Sequence, residues 1–372
     1  MNHKERFLAT IERREVDRPA RWLGMPTRDA FPGLFDYFGV STVEELKRRL
    51  DDDVWPIDVP YDCPPANHIA CAFDFARSDG VDYEYRTLTT PGYFQGMTDP
   101  SAVDGFAWPD PANHIEAAKC RAAAAGAPDD YARMGVFWSA HFQDACAAFG
   151  MESALMTMLT APDMFRAVID RITEFYLRAN EIVLSATEGM LDAVLLGNDF
   201  GSQTGLMVRP DHLREFVFPG VRRLVDQAHD HGLKVIYHSC GSIHGVIEDL
   251  ITIGVDAIHP IQAAAKDMRA ERIVADFGGR VSFVGGVDAQ RLLVLGRPGD
   301  IRRDVARLER LFPTGLVISP SHEAILRDIP PENVEAMFAR GSAGGPHFLE
   351  DPRTATTFGE YSRCNVSDSW DD

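Results

Sequence analysis

A repeated order of helix, glycine and short apolar strand is the sequence feature that most restricts the fold of this chain. The repeat occurs as HGLKVIYH (231–238), IGVDAIHP (253–260), FGGRVSFVGG (277–286) and FPTGLVISP (312–320), with helical stretches between these segments. Strands that alternate with helices form parallel βαβ units. The repeat therefore predicts a parallel sheet that is covered by helices.

Four earlier segments extend the repeat to about eight strands: WLG (22–24), VWPID (54–58), GVFW (135–138) and AVLLG (193–197). Eight is the strand count of a closed (β/α)8, TIM-type barrel, and we expect that α/β fold. An open doubly wound sheet is the alternative, but no G-x-G-x-x-G fingerprint follows an early strand. The barrel is expected to be a single domain over 1–341, with an N-terminal helical segment over 2–14, an inserted loop or hairpin region over 59–130, and a peripheral acidic tail over 342–372.

The charge balance argues against several classes of partner. The 372 residues include 37 basic and 56 acidic side chains, so the formal net charge is −19. Such a chain lacks the basic surface that nucleic acids and anionic membranes require. It also has no apolar run near the roughly 18 residues of a membrane span, and no apolar signal segment at its start. We expect a cytoplasmic protein that binds neither nucleic acid nor membrane; a homodimer is one possible assembly.

In a parallel barrel the active site lies at the carboxyl ends of the strands, so polar residues that follow the apolar runs are candidates for the site. They are Asn198, Asp199, His238, Cys240, His259, Gln262, Asp288, Gln290 and residues 319–323. Among these and the loop residue Gln203, we expect Asn198, Gln203, Gln262 and Asp288 to contact substrate. Asn198 and Asp199 could equally cap a helix, and His259 is better explained as a core histidine.

The segment HSCG (238–241) is the sharpest candidate for a metal site. If the extended backbone continues past the strand, His238 and Cys240 project to the same side, and zinc favours this ligand pair. A catalytic zinc needs three protein ligands. We expect His322 in SPSHE to be the third, with Glu323 as the alternative. A core histidine and a buried structural cysteine are the competing explanation.

Several longer segments resemble the uroporphyrinogen decarboxylase superfamily over roughly residues 1–340, and within it the branch of zinc-dependent corrinoid methyltransferases. They are RREVDRPARW, the stretch from GNDFGSQTG to YHSCGSI, GVDAIHPIQ, FVGGVDAQRLL and SPSHEAILRDIPPENVEAM. The resemblance implies that an H-x-C pair and a later cysteine hold zinc, which activates a thiol for attack on a methyl group carried by cobalamin. The later cysteine is absent here, where the chain reads ISPSHEAI. One thiolate and two imidazoles would make the ion a better Lewis acid and the bound thiol a weaker nucleophile.

These observations favour a zinc-dependent methyltransferase in which His238, Cys240 and His322 hold the metal. The methyl donor would be a methyl-corrinoid presented by a corrinoid-binding protein, and Asp199 would orient the substrate or take its proton, with His322 as the other catalytic residue. A decarboxylase acting on a smaller carboxylic acid is the second interpretation. Porphyrinogen decarboxylation itself is disfavoured, because Arg28 lacks the partner arginine that such enzymes carry. A corrinoid-binding or metal-binding protein without turnover is the third interpretation.

Overall fold

Seven parallel strands, paired in the order of the sequence, form the central sheet of the protein. The computed structural model describes residues 1–64, 68–75 and 88–339. The strands are β2 (Val54–Asp58), β3 (Ala132–Trp138), β4 (Ala193–Gly197), β5 (Lys234–His238), β6 (Ala257–Ile261), β7 (Ser282–Val287) and β8 (Leu316–Pro320). Two further short strands, β1 (Met25–Pro26) and β9 (Ala324–Ile325), pair with each other in parallel. The predicted α/β fold with a parallel sheet is thus confirmed.

Helices connect successive strands. They are α1 (His3–Ile11), α2 (Phe31–Phe38), α3 (Val43–Leu50), α4 (Ala117–Ala125), α5 (His141–Phe149), α6 (Met151–Thr160), α7 (Pro162–Ala186), α8 (Pro210–His212), α9 (Phe218–Asp230), α10 (Ile247–Ile253), α11 (Ala270–Phe277), α12 (Leu292–Leu295), α13 (Pro298–Leu311) and α14 (Pro331–Phe338). A π-helical turn, Leu213–Val217, precedes α9, and Pro219 lies in the first turn of α9. Proline is tolerated in a first turn because the N–H groups there have no partner within the helix.

Both faces of the sheet are buried, as the near-continuous apolar strands require. Along β4, Ala193 and Leu195 belong to one buried cluster, whereas Val194 and Leu196 belong to another, larger one. The smaller cluster also contains Phe7 and Ile11 of α1. The hydroxyl of Ser282, the first residue of β7, donates to the Ile11 carbonyl, so α1 packs at the amino ends of the strands. The carboxyl ends remain for the functional site.

The strand predicted over 22–24 is wrong. Arg21 instead forms a single parallel bridge with Ile318 of β8. The Trp22 N–H donates to the Ile318 carbonyl, and the Asp53 N–H donates to the Arg21 carbonyl. Regular pairing stops here because Gly24 has a φ of +79°, which turns the backbone out of the extended region.

The inserted region is only partly described. The alternation at Tyr83, Tyr85 and Thr87, which suggested a hairpin, falls outside the described residues. Within the described part of 59–130 the chain forms 3-10 turns, α4 and an isolated antiparallel bridge between Tyr61 and Ile115.

The residues from Met1 to Ala339 form one compact unit, and the predicted tail over 342–372 lies outside the described residues. In the described part of the chain no helix has the length and apolar character needed to cross a membrane.

Candidate metal centre

Donor side chains from three strand ends meet at the carboxyl edge of the sheet. Asp199 follows β4, His238 is the last residue of β5, Cys240 lies two residues beyond it, and His322 and Glu323 follow β8. The donor atoms of Asp199, His238 and Cys240 all lie within 4.8 Å of one another. Those of Cys240, His322 and Glu323 do so as well. The two groups share Cys240, but the predicted ligands His238 and His322 do not fall in the same group.

The distances around His238 match those between the ligands of one tetrahedral zinc ion. The Nε2 atom of His238 lies 3.4 Å from Cys240 Sγ and 3.4 Å from Asp199 Oδ1. With the usual zinc–ligand bond lengths, a tetrahedral site separates nitrogen from sulfur by roughly 3.6 Å and nitrogen from oxygen by roughly 3.4 Å. The donor set Asp199, His238 and Cys240 thus fits zinc in both chemistry and spacing.

Glu323 presents a second carboxylate to the same place. Its Oε2 atom is buried and accepts no hydrogen bond from the described residues. His322 Nδ1 lies 3.2 Å away, but this nitrogen accepts the Ala324 N–H and therefore has no proton to donate. His238 Nδ1 lies 3.9 Å from the same oxygen. A buried acceptor without a donor is what a nearby cation would satisfy.

Asp199 was expected to act on the substrate, and the structure places it among the metal donors as well. Its Oδ1 atom accepts the Cys240 N–H at 2.8 Å, which fixes the carboxylate beside the thiol. Its own N–H donates to Oε1 of Gln143 at 3.2 Å. From the sequence, only its position after a strand was evident; the contact with the H-x-C segment comes from the structure.

A tight backbone contact explains the glycine of HSCG. Gly241 has a φ of +85°, and a Cβ atom at this position would overlap the backbone of Gly201, which belongs to the loop after β4. The Gly241 N–H donates to the buried side chain of Gln262, which follows β6. Glycine therefore allows the loops after three neighbouring strands to approach one another closely, and this approach positions Cys240.

The electrostatic environment favours ionised donors. Burial raises the pKa of the Cys240 thiol, but hydrogen bonds with His238 and His322 lower it by more, so the net shift is downward. Burial is likewise the largest single effect on Asp199 and raises its pKa, but the hydrogen bond and charge of His238, the Cys240 N–H and the charge of His322 together lower the pKa below its ordinary value. Thiolate and carboxylate are the forms that bind metal ions.

His259 contacts Nδ1 of His238, the ring nitrogen that does not face Asp199 and Cys240. The two Nδ1 atoms are 2.8 Å apart, and His259 is fully buried with its ring 5.2 Å from that of Trp22. Burial lowers the pKa of His259 well below its ordinary value, and the charge of His238 adds to this effect. A neutral His259 is thus a core histidine, and in addition it fixes the orientation of the ring that presents Nε2 to Asp199 and Cys240.

Comparisons with known proteins give the family and the fold of the chain. The family model for uroporphyrinogen decarboxylase (URO-D) matches residues 71–342. The chain belongs to this family. Among solved structures, a methyltransferase from Methanosarcina mazei matches with a TM-score of 0.66 and 17% sequence identity, over 91% of this chain and 97% of the other. At this identity the match shows a shared fold. No curated protein matches the sequence.

The four predicted substrate residues occupy different environments in this URO-D family chain. The Asn198 side chain is buried, accepts the Phe142 N–H and donates to the Tyr237 hydroxyl, so its amide is already engaged by the protein. Gln262 is buried against Gly241, whereas Gln203 is exposed in a loop. Asp288 Oδ1 accepts the N–H groups of Gln290 and Arg291. Substrate binding by these four residues stays a prediction.

Proposed function

We propose that this chain is a zinc-dependent methyltransferase that moves a methyl group between a corrinoid and a small nucleophile. The observation that carries the proposal is the convergence of a carboxylate, an imidazole and a thiol at distances that suit one zinc ion. A solved structure with the same fold is itself described as a methyltransferase. Because that likeness concerns the fold, the chemistry is argued from the donors of this chain.

The charge of the donor set supports methyl transfer to a thiol. One thiolate and two imidazoles were expected, a set that would leave Zn²⁺ with a net charge of about +1. The structure adds Asp199 to His238 and Cys240, so a carboxylate supplies the negative charge that the missing cysteine would carry. A substrate thiolate in such a site keeps its own negative charge. It therefore stays a strong nucleophile.

Each residue of the centre would have a distinct role in the reaction. Asp199, His238 and Cys240 would hold zinc, which supplies a Lewis acid that lowers the pKa of a substrate thiol or hydroxyl group. Glu323 Oε2, which has no donor among the described residues, would take the proton that the nucleophile loses. His322, whose side chain is 39% exposed, would orient the substrate. His322 also remains an alternative ligand, because its donor atom lies within 4.8 Å of that of Cys240.

The same proposal includes a closed (β/α)8 barrel and a corrinoid-bearing partner. Backbone hydrogen bonds between residues 20–22 and both β8 and Asp53, which directly precedes β2, support closure of the sheet by this segment. Closure would leave the carboxyl ends of the strands as the one mouth at which all the donors meet. A large corrinoid would approach that mouth on its own carrier protein.

Replacement of Cys240 by serine tests the proposal. The wild-type protein, purified with added zinc, should carry close to one zinc per chain and should consume methylcobalamin when a small thiol is added. Cys240→Ser should lose both the zinc and the reaction, because serine is a poor zinc ligand at neutral pH. Cys71→Ser is the matched control, since Cys71 is a half-buried free thiol in the inserted region, and it should retain both.

Zinc content by elemental analysis and the visible spectrum of methylcobalamin are the two measurements. Folded wild-type protein without zinc after supplementation would contradict the proposal.

A decarboxylase is the second candidate, because the matched family model is that of a decarboxylase and the Asp199–His238 pair at 3.4 Å offers an acid and base without a metal. Full turnover of a carboxylic acid by Cys240→Ser would favour this second candidate.

A further inference from the structure

Two successive residues at the end of β3 hold a backbone conformation that side chains rarely adopt. Trp138 has a φ of +55°, and Ser139 has a φ of +55° as well. A positive φ is strained for a side chain as large as tryptophan, whereas glycine adopts it without strain. Strained residues of this kind persist only where their surroundings fix them, and they cluster at functional sites. The largest side chain thus occupies a position whose backbone favours the smallest.

Hydrogen bonds to Ser139 fix this strained turn. The Ser139 N–H donates to the Phe137 carbonyl at 2.7 Å, which closes a three-residue turn with Trp138 at its centre. With a positive φ at the centre, this is the rare form of the γ-turn. The Ser139 hydroxyl is buried and donates to Oδ1 of Asn180, a buried residue of α7. The His141 N–H, in α5, donates to the Ser139 carbonyl, so two helices hold the turn.

The turn directs the Trp138 ring toward the metal centre. The pairing of β3 with β4 shifts its register between Val136 and Trp138, and such bulges re-aim side chains beside active sites. Trp138 packs against the smaller buried cluster, which contains Val136 and Ile236. Its ring centroid lies 5.1 Å from that of His238, at an interplanar angle of 87°. Because Trp138 is only half-buried, part of its ring is accessible at the carboxyl end of the strands.

The segment after β3 also borders Asp199. Nε2 of Gln143 donates to Oδ2 of Asp199 at 3.5 Å, and the Asp199 N–H donates to Oε1 of Gln143 at 3.2 Å. In the sheet, β4 lies between β3 and β5, so Trp138 and Gln143 border the metal centre on the side opposite the β6 neighbour of β5. The amide of Gln143 is engaged by Asp199. The indole of Trp138 is therefore the large apolar surface on this side of the centre.

We propose that Trp138 determines the specificity of the metal centre, because its indole limits the size of the group that can reach the open coordination position. This inference rests on the metal site of the proposed function and is independent of methyl transfer. A side chain that is fixed by packing and by a strained turn cannot yield to a bulky ligand. A donor atom on a primary carbon fits beside the flat ring, whereas a tertiary carbon meets it. The substrate class is thus a thiol or alcohol whose reactive atom is bound to a primary carbon.

Cobalt-substituted protein allows ligand binding to be measured without any reaction. Co²⁺ accepts the nitrogen, oxygen and sulfur ligands of a zinc site, and its visible spectrum changes when a thiolate binds. Wild type should bind ethanethiol at least about tenfold more tightly than tert-butanethiol. Trp138→Gly should bring this ratio to within about threefold, because it removes the ring and leaves a residue that suits the backbone.

Two further variants keep this test specific. Trp138→Phe retains a smaller aromatic ring and should give a ratio between those of wild type and Trp138→Gly. It keeps the test decisive if circular dichroism shows the glycine variant unfolded. Trp108→Phe is the matched control, because Trp108 is a half-buried tryptophan of the inserted region that is hydrogen-bonded to Val103, and it should keep the wild-type ratio.

Two outcomes would overturn the inference. One is an equal ratio in wild type and the folded Trp138 variants, which would mean that the ring does not limit the ligand. The other is loss of cobalt from folded Trp138→Gly, because the ring would then serve only to support His238.

Kinetics separate this inference from the proposed function. With methylcobalamin as donor, Trp138→Gly should raise kcat/KM for tert-butanethiol relative to ethanethiol at least about threefold. Selective thiol binding without methyl transfer would leave Trp138 assigned and the proposed reaction wrong. Methyl transfer with the same selectivity in wild type and Trp138→Gly would do the reverse. A wild type that binds neither zinc nor cobalt would overturn both.

Discussion

At the residue scale, the His238–His259 contact governs how well the metal centre can hold its ion. A histidine ligand is oriented by the group that its other ring nitrogen contacts, and loss of such a group costs about 10–100-fold in metal affinity. Here the two Nδ1 atoms are 2.8 Å apart. We expect His259→Leu to lower zinc affinity by about 10–100-fold while the protein stays folded. Competition with a chromogenic chelator measures this affinity.

Two further variants make that result interpretable. His259→Asn offers a polar atom near the position of Nδ1 and should restore part of the affinity. His244→Ala removes a surface histidine that pairs with Asp276, and it should leave zinc affinity at the wild-type value. An unchanged affinity in folded His259→Leu would show that the contact does not orient the ligand.

The residues of the centre also show what can be deduced from one sequence. His238 and Cys240 were predicted as a pair because a two-residue spacing at the end of a strand has only one geometric outcome. Asp199 was assigned to the substrate rather than to the metal. Its distance from His238 depends on how the loops after β4 and β5 pack through Gly201 and Gly241, and loop packing leaves no periodic signal in a sequence.

At the scale of elements, the packing of α5 against α7 contains a partly buried acid. Tyr176 of α7 donates a hydrogen bond to Asp144 of α5. Burial raises the pKa of Asp144 to about 7, although the hydrogen bond with Tyr176 acts in the opposite direction. The ordinary value is 3.8, so the folded state holds this proton up to a higher pH than the unfolded state does. Asp144 therefore destabilises the folded state progressively between pH 4 and pH 7.

We expect Asp144→Asn, which cannot ionise, to remove this pH dependence. The variant should be close to wild type in stability near pH 4, and more stable by roughly 1–4 kcal/mol at pH 8. Urea unfolding at several pH values measures the difference. Asp226→Asn, an exposed change on α9, is the control and should give a curve parallel to that of wild type. A constant difference between Asp144→Asn and wild type at all pH values would contradict the assignment.

At the scale of the whole molecule, the parallel sheet was predictable and its first segment was not. Strands such as AVLLG and KVIYH are buried on both faces. Burial of both faces requires apolar side chains at successive positions, and these appear in the sequence as continuous apolar runs. Residues 20–22 lie against β8 through a few hydrogen bonds, and the positive φ of Gly24 ends the extended run before a strand forms. The predicted strand WLG was therefore one or two residues too late. The described part of the inserted region is held by turns and aromatic contacts, which no short periodic sequence pattern predicts.

The same end of the molecule depends on one buried carboxylate, that of Asp53. Its Oδ1 accepts hydrogen bonds from Arg6 at 2.7 Å and is 2.9 Å from His3 Nδ1, and its Oδ2 accepts from Arg18 at 2.6 Å. The backbone N–H of Arg21 donates to Oδ2 as well, at 2.8 Å. Asp53 thereby joins α1 and the segment around residue 21 to the start of β2.

We expect Asp53→Ala to destabilise the protein by about 3–5 kcal/mol, because it leaves the Arg6 and Arg18 cations, which are 7% and 10% exposed, without their buried partner. Asp51→Asn is the matched control, because asparagine tolerates the left-handed backbone at this position, where φ is +59°. It removes a carboxylate that also pairs with Arg18 but is 38% exposed, so the cost should stay under about 1 kcal/mol. Denaturant unfolding measures both values. Equal, small losses in the two variants would mean that α1 is held by its apolar contacts with Phe7 and Ile11 rather than by this charge network.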